Sequence, residues 1–159
     1  MESKWPNCPR YFRSDYQNLK TKFTGAENIE NNWSQSMQDM FVLSMLDGKR
    51  NGVYVEIGAD QPRVISNSYL LEKDFDWAGV SFELDGDKVI YFNSIRRNKC
   101  LCEDATTFDY KFLFEDRNFP KQIDYLQLDI DPAEGTLAAL KTLPLDDYRF
   151  SVITYETDV

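Results

Sequence analysis

The amino-acid sequence predicts an α/β fold with an open parallel sheet, because short apolar runs alternate with helical segments five times along the chain. Right-handed crossovers convert such an alternation into a parallel sheet. The run over 53–57 is apolar on both faces, as expected of a central strand that helices cover from either side. Acidic residues follow nearly every run, at the edge where ligands of such sheets bind. These observations predict a doubly wound, Rossmann-like sheet.

The segment 52–60, which reads Gly-Val-Tyr-Val-Glu-Ile-Gly-Ala-Asp, is the centre of this prediction. Its strand closes on Glu56 and the residue after it, and Gly58 opens the following turn. Because glycine has no Cβ, we expect the backbone at Gly58 to pass close to a ligand. The polar residues at 66–68 then predict the cap of a helix over 69–73.

The region before this strand divides into two parts. Residues 1–33 are rich in polar and aromatic residues and lack a clean period, which predicts an irregular N-terminal arm ahead of one domain over 34–159. Ser34 is the predicted N-cap of a helix that ends at 47–48. The residues that follow it at helical spacing, and that we expect in the core, are Met37, Met40, Phe41 and Met45.

The region after the first strand and its helix continues the alternation. The remaining predicted strands span 79–83, 99–102, 123–130 and 150–155, and the remaining predicted helices span 87–97, 108–119 and 134–143. Glu83 ends the second strand 27 positions after Glu56. Such folds bind ribose hydroxyls there, although an exposed strand-end acid fits the spacing equally well. In the fourth strand, the period of two predicts Asp129 and Asp131 on one face.

The charge of the chain limits the class of ligand. Its 27 acidic and 18 basic residues give a formal net charge of -9, whereas nucleic acids need a concentrated basic surface. The adjacent pairs Lys49-Arg50 and Arg96-Arg97 are predicted on solvated helix ends. The sequence contains no histidine, which excludes the usual His-containing zinc sites and His-based catalytic triads. Chemistry here must use carboxylates, hydroxyls, amines or a cofactor.

Targeting signals and cysteines indicate the compartment. No apolar run approaches the roughly 20 residues that span a bilayer, and residues 1–15 hold no signal-peptide apolar region. We therefore expect a cytoplasmic protein that binds no membrane. The chain has three cysteines, and Cys100 and Cys102 alternate along the third strand. This pattern predicts reduced, buried thiols rather than disulfides.

Several blocks of the sequence together resemble one known family. The blocks are 55–59 (Val-Glu-Ile-Gly-Ala), 66–72 (Ser-Asn-Ser-Tyr-Leu-Leu-Glu), 77–80 (Trp-Ala-Gly-Val), Glu83 and 124–131 (Asp-Tyr-Leu-Gln-Leu-Asp-Ile-Asp). Over 34–158 the chain is similar to class I S-adenosylmethionine-dependent methyltransferases, and more narrowly to the FkbM-type group. The glycine-rich loop of that family is reduced here to Gly58. The family generally continues past the fifth strand, so we expect a C-terminally truncated domain with an exposed edge strand, which is a fragment, a degenerate copy or one half of a homo-oligomer.

The resemblance implies a site for the cofactor S-adenosylmethionine. The residues implied there are Glu56, Gly58 and Ala59 beside its methionine part, Glu83 at its ribose hydroxyls, Asp104 and Ala105 at its adenine, Asp129 at the reacting edge, and Asp60 and Asn67. An acidic rim suits a neutral-to-cationic cofactor better than it suits a diphosphate.

The expected activity is O-methylation of a small hydroxylated substrate such as a sugar, with Asp129, Asp131 and Glu156 as catalytic candidates. The alternative is a catalytically silent α/β domain that binds an adenosine compound or a partner chain. A nicotinamide oxidoreductase is disfavoured, because the turn lacks the second and third glycines of a diphosphate-binding loop.

The acids after the fourth and fifth strands predict a crowded corner. Asp129 and Asp131 on one strand, with Glu156 and Asp158 on its neighbour, would bring four carboxylates together. One of these carboxyls would then titrate above its usual pKa of about 4. Alternatively, a divalent cation such as Mg²⁺ or Ca²⁺ would bind among them, or water would screen them. The sequence leaves all three open and does not require the cation.

Overall fold

A computed structural model of the chain describes residues 9–157, in which five parallel strands form one open sheet. The strands are β1 (Val53–Ile57), β2 (Ala78–Glu83), β3 (Lys99–Cys102), β4 (Gln122–Leu128) and β5 (Arg149–Tyr155). The helices are α1 (Gln38–Met45), α2 (Tyr69–Phe75), α3 (Gly86–Ile95), α4 (Tyr110–Asp116) and α5 (Ala133–Thr142). The strand order β3-β2-β1-β4-β5 confirms the predicted doubly wound, Rossmann-like sheet with β1 at its centre.

The sheet separates two apolar cores, because successive side chains of a strand point to opposite faces. Tyr54 of β1 packs in one core with residues of α1 and α2, whereas Val55 packs in the other with residues of α4 and α5. The described part of the arm holds two short 3-10 helices, Arg13–Asn18 and Ala26–Asn28. Tyr11 of the arm is buried in the first core. The arm therefore contributes to the packing that holds α1 and α2 on the sheet.

Helix α1 begins later than predicted, because Ser34 does not cap it. Met37 occupies the N-cap position with φ 61°, while the Ser34 hydroxyl accepts from the N–H of Asp39 at 3.3 Å and donates to its buried carboxylate at 2.6 Å. The predicted core stripe is also wrong in part, since Phe41 and Met45 are 48% and 59% exposed. The residues that α1 buries in the core are Met40, Val42 and Leu43.

Two predictions of exposure, for Arg96 and for Cys102, are wrong. The sequence predicts Arg96 on a solvated helix end with Arg97, but it is 3% exposed at the C-cap of α3. Its guanidinium points inward to acceptors on other elements, while Arg97 stays exposed. Cys100 is buried as predicted, and burial raises the pKa of its thiol to about 12. Cys102 is exposed, contrary to prediction, and neither thiol forms a disulfide.

The carboxyl ends of the last strands differ slightly from prediction. Strand β4 ends at Leu128, so Asp129 and Asp131 follow the strand, and the strand period does not place their side chains. Strand β5 lies at an edge of the sheet formed by the described residues, next to β4. Asp158 lies outside the described residues. Within the described range, no helix combines the length and the apolar character needed to cross a membrane.

Candidate functional site

The residues that follow the five strands open into one cavity of about 680 Å³. This volume falls in the range of about 300 to 1,000 Å³ that is usual for small-molecule sites. The cavity lies at the switch point between β1 and β4, from which the strand order runs in opposite directions. Its lining includes every residue that the sequence predicted for the site, namely Glu56, Gly58, Ala59, Asp60, Asn67, Glu83, Asp104, Ala105, Asp129, Asp131 and Glu156.

The turn after β1 is built on a close approach between two backbones. Gly58 has φ +82°, and a Cβ at this residue would lie 1.6 Å from the carbonyl oxygen of Asp129. The N–H groups of Gly58 and Ala59 both donate to the carbonyl of Phe82 at 3.0 Å. The protein itself therefore requires glycine at this position, and the close approach of the Gly58 backbone to a ligand stays a prediction. A side chain is excluded here by the left-handed backbone and by Asp129, before any ligand is considered.

Glu83, at the tip of β2, is held by three backbone N–H groups. Its Oε2 accepts from Asp60 at 3.0 Å, and its Oε1 accepts from Leu84 at 2.9 Å and from Asp85 at 3.0 Å. A carboxylate offers about four lone-pair sites, two on each oxygen. Among residues 9–157, the hydrogen bonds therefore leave about one acceptor site, on Oε2, at the side of a half-buried carboxylate that lines the cavity.

Glu56 is the penultimate residue of β1, and its buried carboxylate lies at the cavity. It is 1% exposed, and the hydroxyls of Ser68 and Ser81 donate to its Oε2 at 2.8 and 2.6 Å. Burial raises the pKa of this carboxyl, while the charge of Arg96 and the two hydroxyls partly oppose the rise. A buried carboxylate that meets a cavity and has a perturbed pKa is a typical feature of functional sites.

The loop between β1 and α2 forms a wall of the cavity and has unusual backbone angles. Asp60 and Ile65 both have positive φ, 45° and 60°, and this region is strained for a β-branched residue such as isoleucine. Lys88 forms a 2.6 Å ion pair with Asp60, and this hydrogen bond raises the pKa of the lysine. Asn67 is buried in the same wall, and its Oδ1 has no hydrogen-bond partner among the described residues.

Asp104 and Ala105, predicted beside an adenine ring, lie in the turn after β3. Asp104 is exposed and accepts from the N–H and the hydroxyl of Thr106 at 2.9 and 2.6 Å, which lowers the pKa of its carboxyl. Ala105 is buried, and its carbonyl accepts from the Tyr110 hydroxyl at 2.8 Å. Hydrogen bonds from Thr106 and Tyr110 therefore stabilise the turn, whose outer side lines the cavity.

The three catalytic candidates enter the cavity from the ends of β4 and β5. The N–H of Asp129 donates to Ile57 and the N–H of Glu156 donates to Leu128, each at 3.0 Å, which continues the strand pairing past the strand ends. Asp131 is exposed in the turn before α5. In the part of the chain from 9 to 157, no group of three or more acidic or cysteine side chains is arranged to hold a metal ion.

The lining has a strong negative charge. Eight acidic residues contribute to it against one basic residue, Lys88, which is already paired with Asp60. In a concave site, such a charge distribution attracts cationic ligands and repels anionic ones. Carboxylates also accept hydrogen bonds from hydroxyl groups. The arrangement can therefore hold a neutral or cationic ligand that is rich in hydroxyls, and it disfavours a diphosphate.

Sequence reasoning missed Arg96, the residue that links Glu56 to the rest of the wall. Its Nη2 donates to the Ser68 hydroxyl at 3.0 Å, and its Nε donates to Glu72 at 3.1 Å. No signal within α3 could have revealed these contacts, because both acceptors belong to residues about 25 positions earlier in the chain.

A search among family models, curated proteins and solved structures finds no match to the chain.

Proposed function

We propose that this chain binds S-adenosylmethionine in the cavity at the carboxyl edge of the sheet and O-methylates a small hydroxylated substrate such as a sugar. The observation that carries the proposal is the convergence of every residue implied by the resemblance on one cavity at the switch point. The parallel sheet brings the ends of its strands to one edge, and at that edge these residues line a single cavity. Their convergence supports one ligand that spans β1, β2 and β4.

The charge of the cavity supports a sulfonium cofactor. Eight acidic side chains against Lys88 favour a ligand with positive charge, and S-adenosylmethionine carries a sulfonium and an ammonium group against a single carboxylate. The buried Glu56 would accept hydrogen bonds from the methionine part, and Glu83 would accept from the ribose. Because three N–H groups already bind Glu83, we expect its Oε2 to accept from about one ribose hydroxyl rather than two.

The turn after β1 also favours S-adenosylmethionine over a dinucleotide. A diphosphate needs free backbone N–H groups at such a turn. Here the N–H groups of Gly58 and Ala59 both donate to Phe82, so they are already used within the protein. S-adenosylmethionine has no phosphate and does not need them.

The chain supplies positioning and proton acceptors. When bound, S-adenosylmethionine supplies a methyl group activated by its sulfonium, which passes to the acceptor oxygen and leaves S-adenosylhomocysteine. Asp129, Asp131 and Glu156 line the cavity at the ends of β4 and β5, where a carboxylate oxygen would take the proton that the substrate hydroxyl releases. The cavity walls would hold that hydroxyl in line, and such positioning accounts for much of the barrier reduction in methyl transfer.

Calorimetric titration with S-adenosylhomocysteine tests the cofactor, with NAD⁺ as the matched control ligand because it shares the adenosine but adds a diphosphate. We expect saturable binding of the first and no measurable binding of the second. Transfer of a labelled methyl group to a panel of sugars and other hydroxylated metabolites then tests the activity. Absence of binding would contradict the proposal, and binding without transfer to any acceptor would favour the silent adenosine-binding domain.

A further inference from the structure

Arg96 joins β1, α2 and the loop between them, and residues of β1 and of this loop line one side of the cavity. Its guanidinium donates to Glu72 of α2, to the Pro62 carbonyl at 3.0 Å, to the Ser68 hydroxyl at 3.0 Å and to the Tyr54 hydroxyl of β1 at 3.2 Å. Five donors in a rigid, planar fork suit a residue that must hold several acceptors at fixed angles. A buried lysine in this position could not bind all of them.

Two aromatic rings and one ion pair stabilise the buried positive charge of Arg96. The guanidinium carbon lies 4.8 Å from the Phe92 ring centre and 5.4 Å from the Tyr69 ring centre. The Glu72 carboxylate, 8% exposed, forms the ion pair at 3.0 Å. Breaking such a pair by removing one partner is strongly destabilising, so the fold has a reason to retain Arg96 whatever its function. A functional role must therefore be argued from what Arg96 does to the cavity.

The hydrogen-bond directions identify that role. An arginine can only donate, so the Ser68 oxygen must accept from Arg96. The single proton of the Ser68 hydroxyl is then directed to Glu56, whose Oε2 lies at 2.8 Å. Nη1 of Arg96 also contacts the Pro62 carbonyl and the Ser66 hydroxyl, at 3.0 and 3.3 Å. Both residues flank the strained part of the cavity wall.

We propose that Arg96 is a positioning residue of the cavity, which orients the Glu56 carboxylate through the Ser68 hydroxyl and holds the loop over 62–68 as a fixed wall. The importance of Glu56 for a ligand rests on the function proposed above. The link from Arg96 through Ser68 to Glu56 does not, and it can be tested without any ligand.

Electrostatics supports the direction of the effect. The titratable groups that interact with Glu56 across the buried space are Arg96, Glu72, Tyr54, Tyr125 and Cys100. Of these, Arg96 carries the positive charge, and both its charge and the Ser68 hydroxyl lower the pKa of Glu56 against the larger effect of burial. Weakening this link should therefore make the Glu56 carboxyl easier to protonate.

The test is an NMR titration of the Glu56 carboxyl carbon in protein labelled at glutamate, with Glu56→Gln to assign the signal. In Ser68→Ala we expect the titration midpoint to rise by about one pH unit, the effect of losing one hydrogen bond to a charged group. In Arg96→Lys we expect a smaller rise, because the charge stays while the fork is lost. Arg97→Lys is the matched control and should leave the midpoint unchanged, since Arg97 is exposed and donates to the Trp77 carbonyl.

Two further readouts cover the remaining outcomes. If the wild type binds S-adenosylhomocysteine, Ser68→Ala should weaken it about tenfold. If the wild type does not bind it, the proposed function fails while the carboxyl titration still decides the role of Arg96. Should the variants fail to fold, the wild-type spectrum decides, because a fixed guanidinium gives separate Nη–H signals with contacts to Ser68. An unmoved Glu56 midpoint in the folded variants, or averaged Nη–H signals in the wild type, would overturn the proposal.

Discussion

The carbonyl oxygen of Asp129 occupies the space that a side chain on Gly58 would need, only 1.6 Å from the position of a Cβ. This contact joins the turn after β1 to the end of β4 and sets the shape of the cavity between them. A residue with a side chain would have to move one of these two backbones. We therefore expect a side chain at Gly58 to lower the free energy of unfolding, and a side chain at a glycine with open space around it to have no such effect.

Gly58→Ala should lower the free energy of unfolding by at least about 1 kcal/mol, because alanine is strained at φ +82° and its Cβ would clash with backbone. Gly86→Ala is the matched control. A Cβ there would lie 3.8 Å from the Cys102 sulfur, an ordinary van der Waals contact, and alanine is favoured in a helix by up to about 1 kcal/mol. Urea denaturation measures both variants. Equal stability of the two would contradict the steric interpretation.

Glu83→Gln should weaken S-adenosylhomocysteine binding about tenfold, since the amide loses the charge that the ribose hydroxyl meets. Glutamine is a better test than alanine, which would leave three N–H groups of the turn without their acceptor. Glu103→Gln makes the same charge change elsewhere in the lining and should have a smaller effect. Calorimetric titration, with a thermal melt to verify folding, compares the variants. Unchanged affinity in folded Glu83→Gln removes this residue from the site.

Glu56→Gln should become more stable relative to the wild type as the pH rises. Burial raises the pKa of Glu56, so the folded state binds more protons than the unfolded state between about pH 4 and the raised pKa. The contribution of this carboxyl to stability is therefore greatest below that window and is lost as pH rises through it. Denaturation in urea at a series of pH values measures the difference. A difference that is flat or falls with pH would contradict this sign.

Asp104→Asn is a control whose stability, relative to the wild type, should change with pH in the opposite direction to that of Glu56→Gln. Two hydrogen bonds from Thr106 lower the pKa of Asp104, so this carboxylate stabilises the fold above about pH 4 and loses its contribution as pH falls. Relative to the wild type, Asp104→Asn should therefore be least stable near neutral pH and should approach the wild type in acid. The same denaturation series measures it.

Lys49→Met should lower the free energy of unfolding by about 1 to 2 kcal/mol, because it leaves the Asp124 carboxylate buried without its ion-pair partner. That carboxylate also accepts from the N–H of Val53 at the start of β1. Arg50→Met is the matched control, since Arg50 pairs with Asp76 while both side chains are more than half exposed. Such surface pairs contribute less than about 1 kcal/mol. A larger loss at Arg50 than at Lys49 would contradict this ranking.

The fold could be predicted from the sequence because its signals are local. β-branched and apolar runs mark each strand, and the bounds of β3 agree with prediction at both ends. The convergence of the predicted site residues on one cavity follows from the same information, because the carboxyl ends of parallel strands lie at one edge. Placing acids such as Glu83 and Asp104 at that edge required no knowledge of side-chain contacts.

The errors concern contacts between distant residues. The adjacent basic pair Arg96-Arg97 predicts a solvated helix end, but the Arg96 guanidinium donates hydrogen bonds to Glu72 and Ser68, which belong to another element. Ser34 has the composition of a helix cap, yet the buried Asp39 competes for its hydroxyl. Periodicity describes one element at a time. It cannot show which partner a polar side chain will find on another element.

The strand order also divides the chain into two consecutive pieces. Strands β1, β2 and β3 precede the turn at Asn118, strands β4 and β5 follow it, and the sheet joins them along the pairing of β1 with β4. The cavity opens across this seam, so a ligand bound in it would contact both pieces. We therefore expect two polypeptides separated after Asn118 to complement each other, and any molecule that fills the cavity to strengthen their assembly.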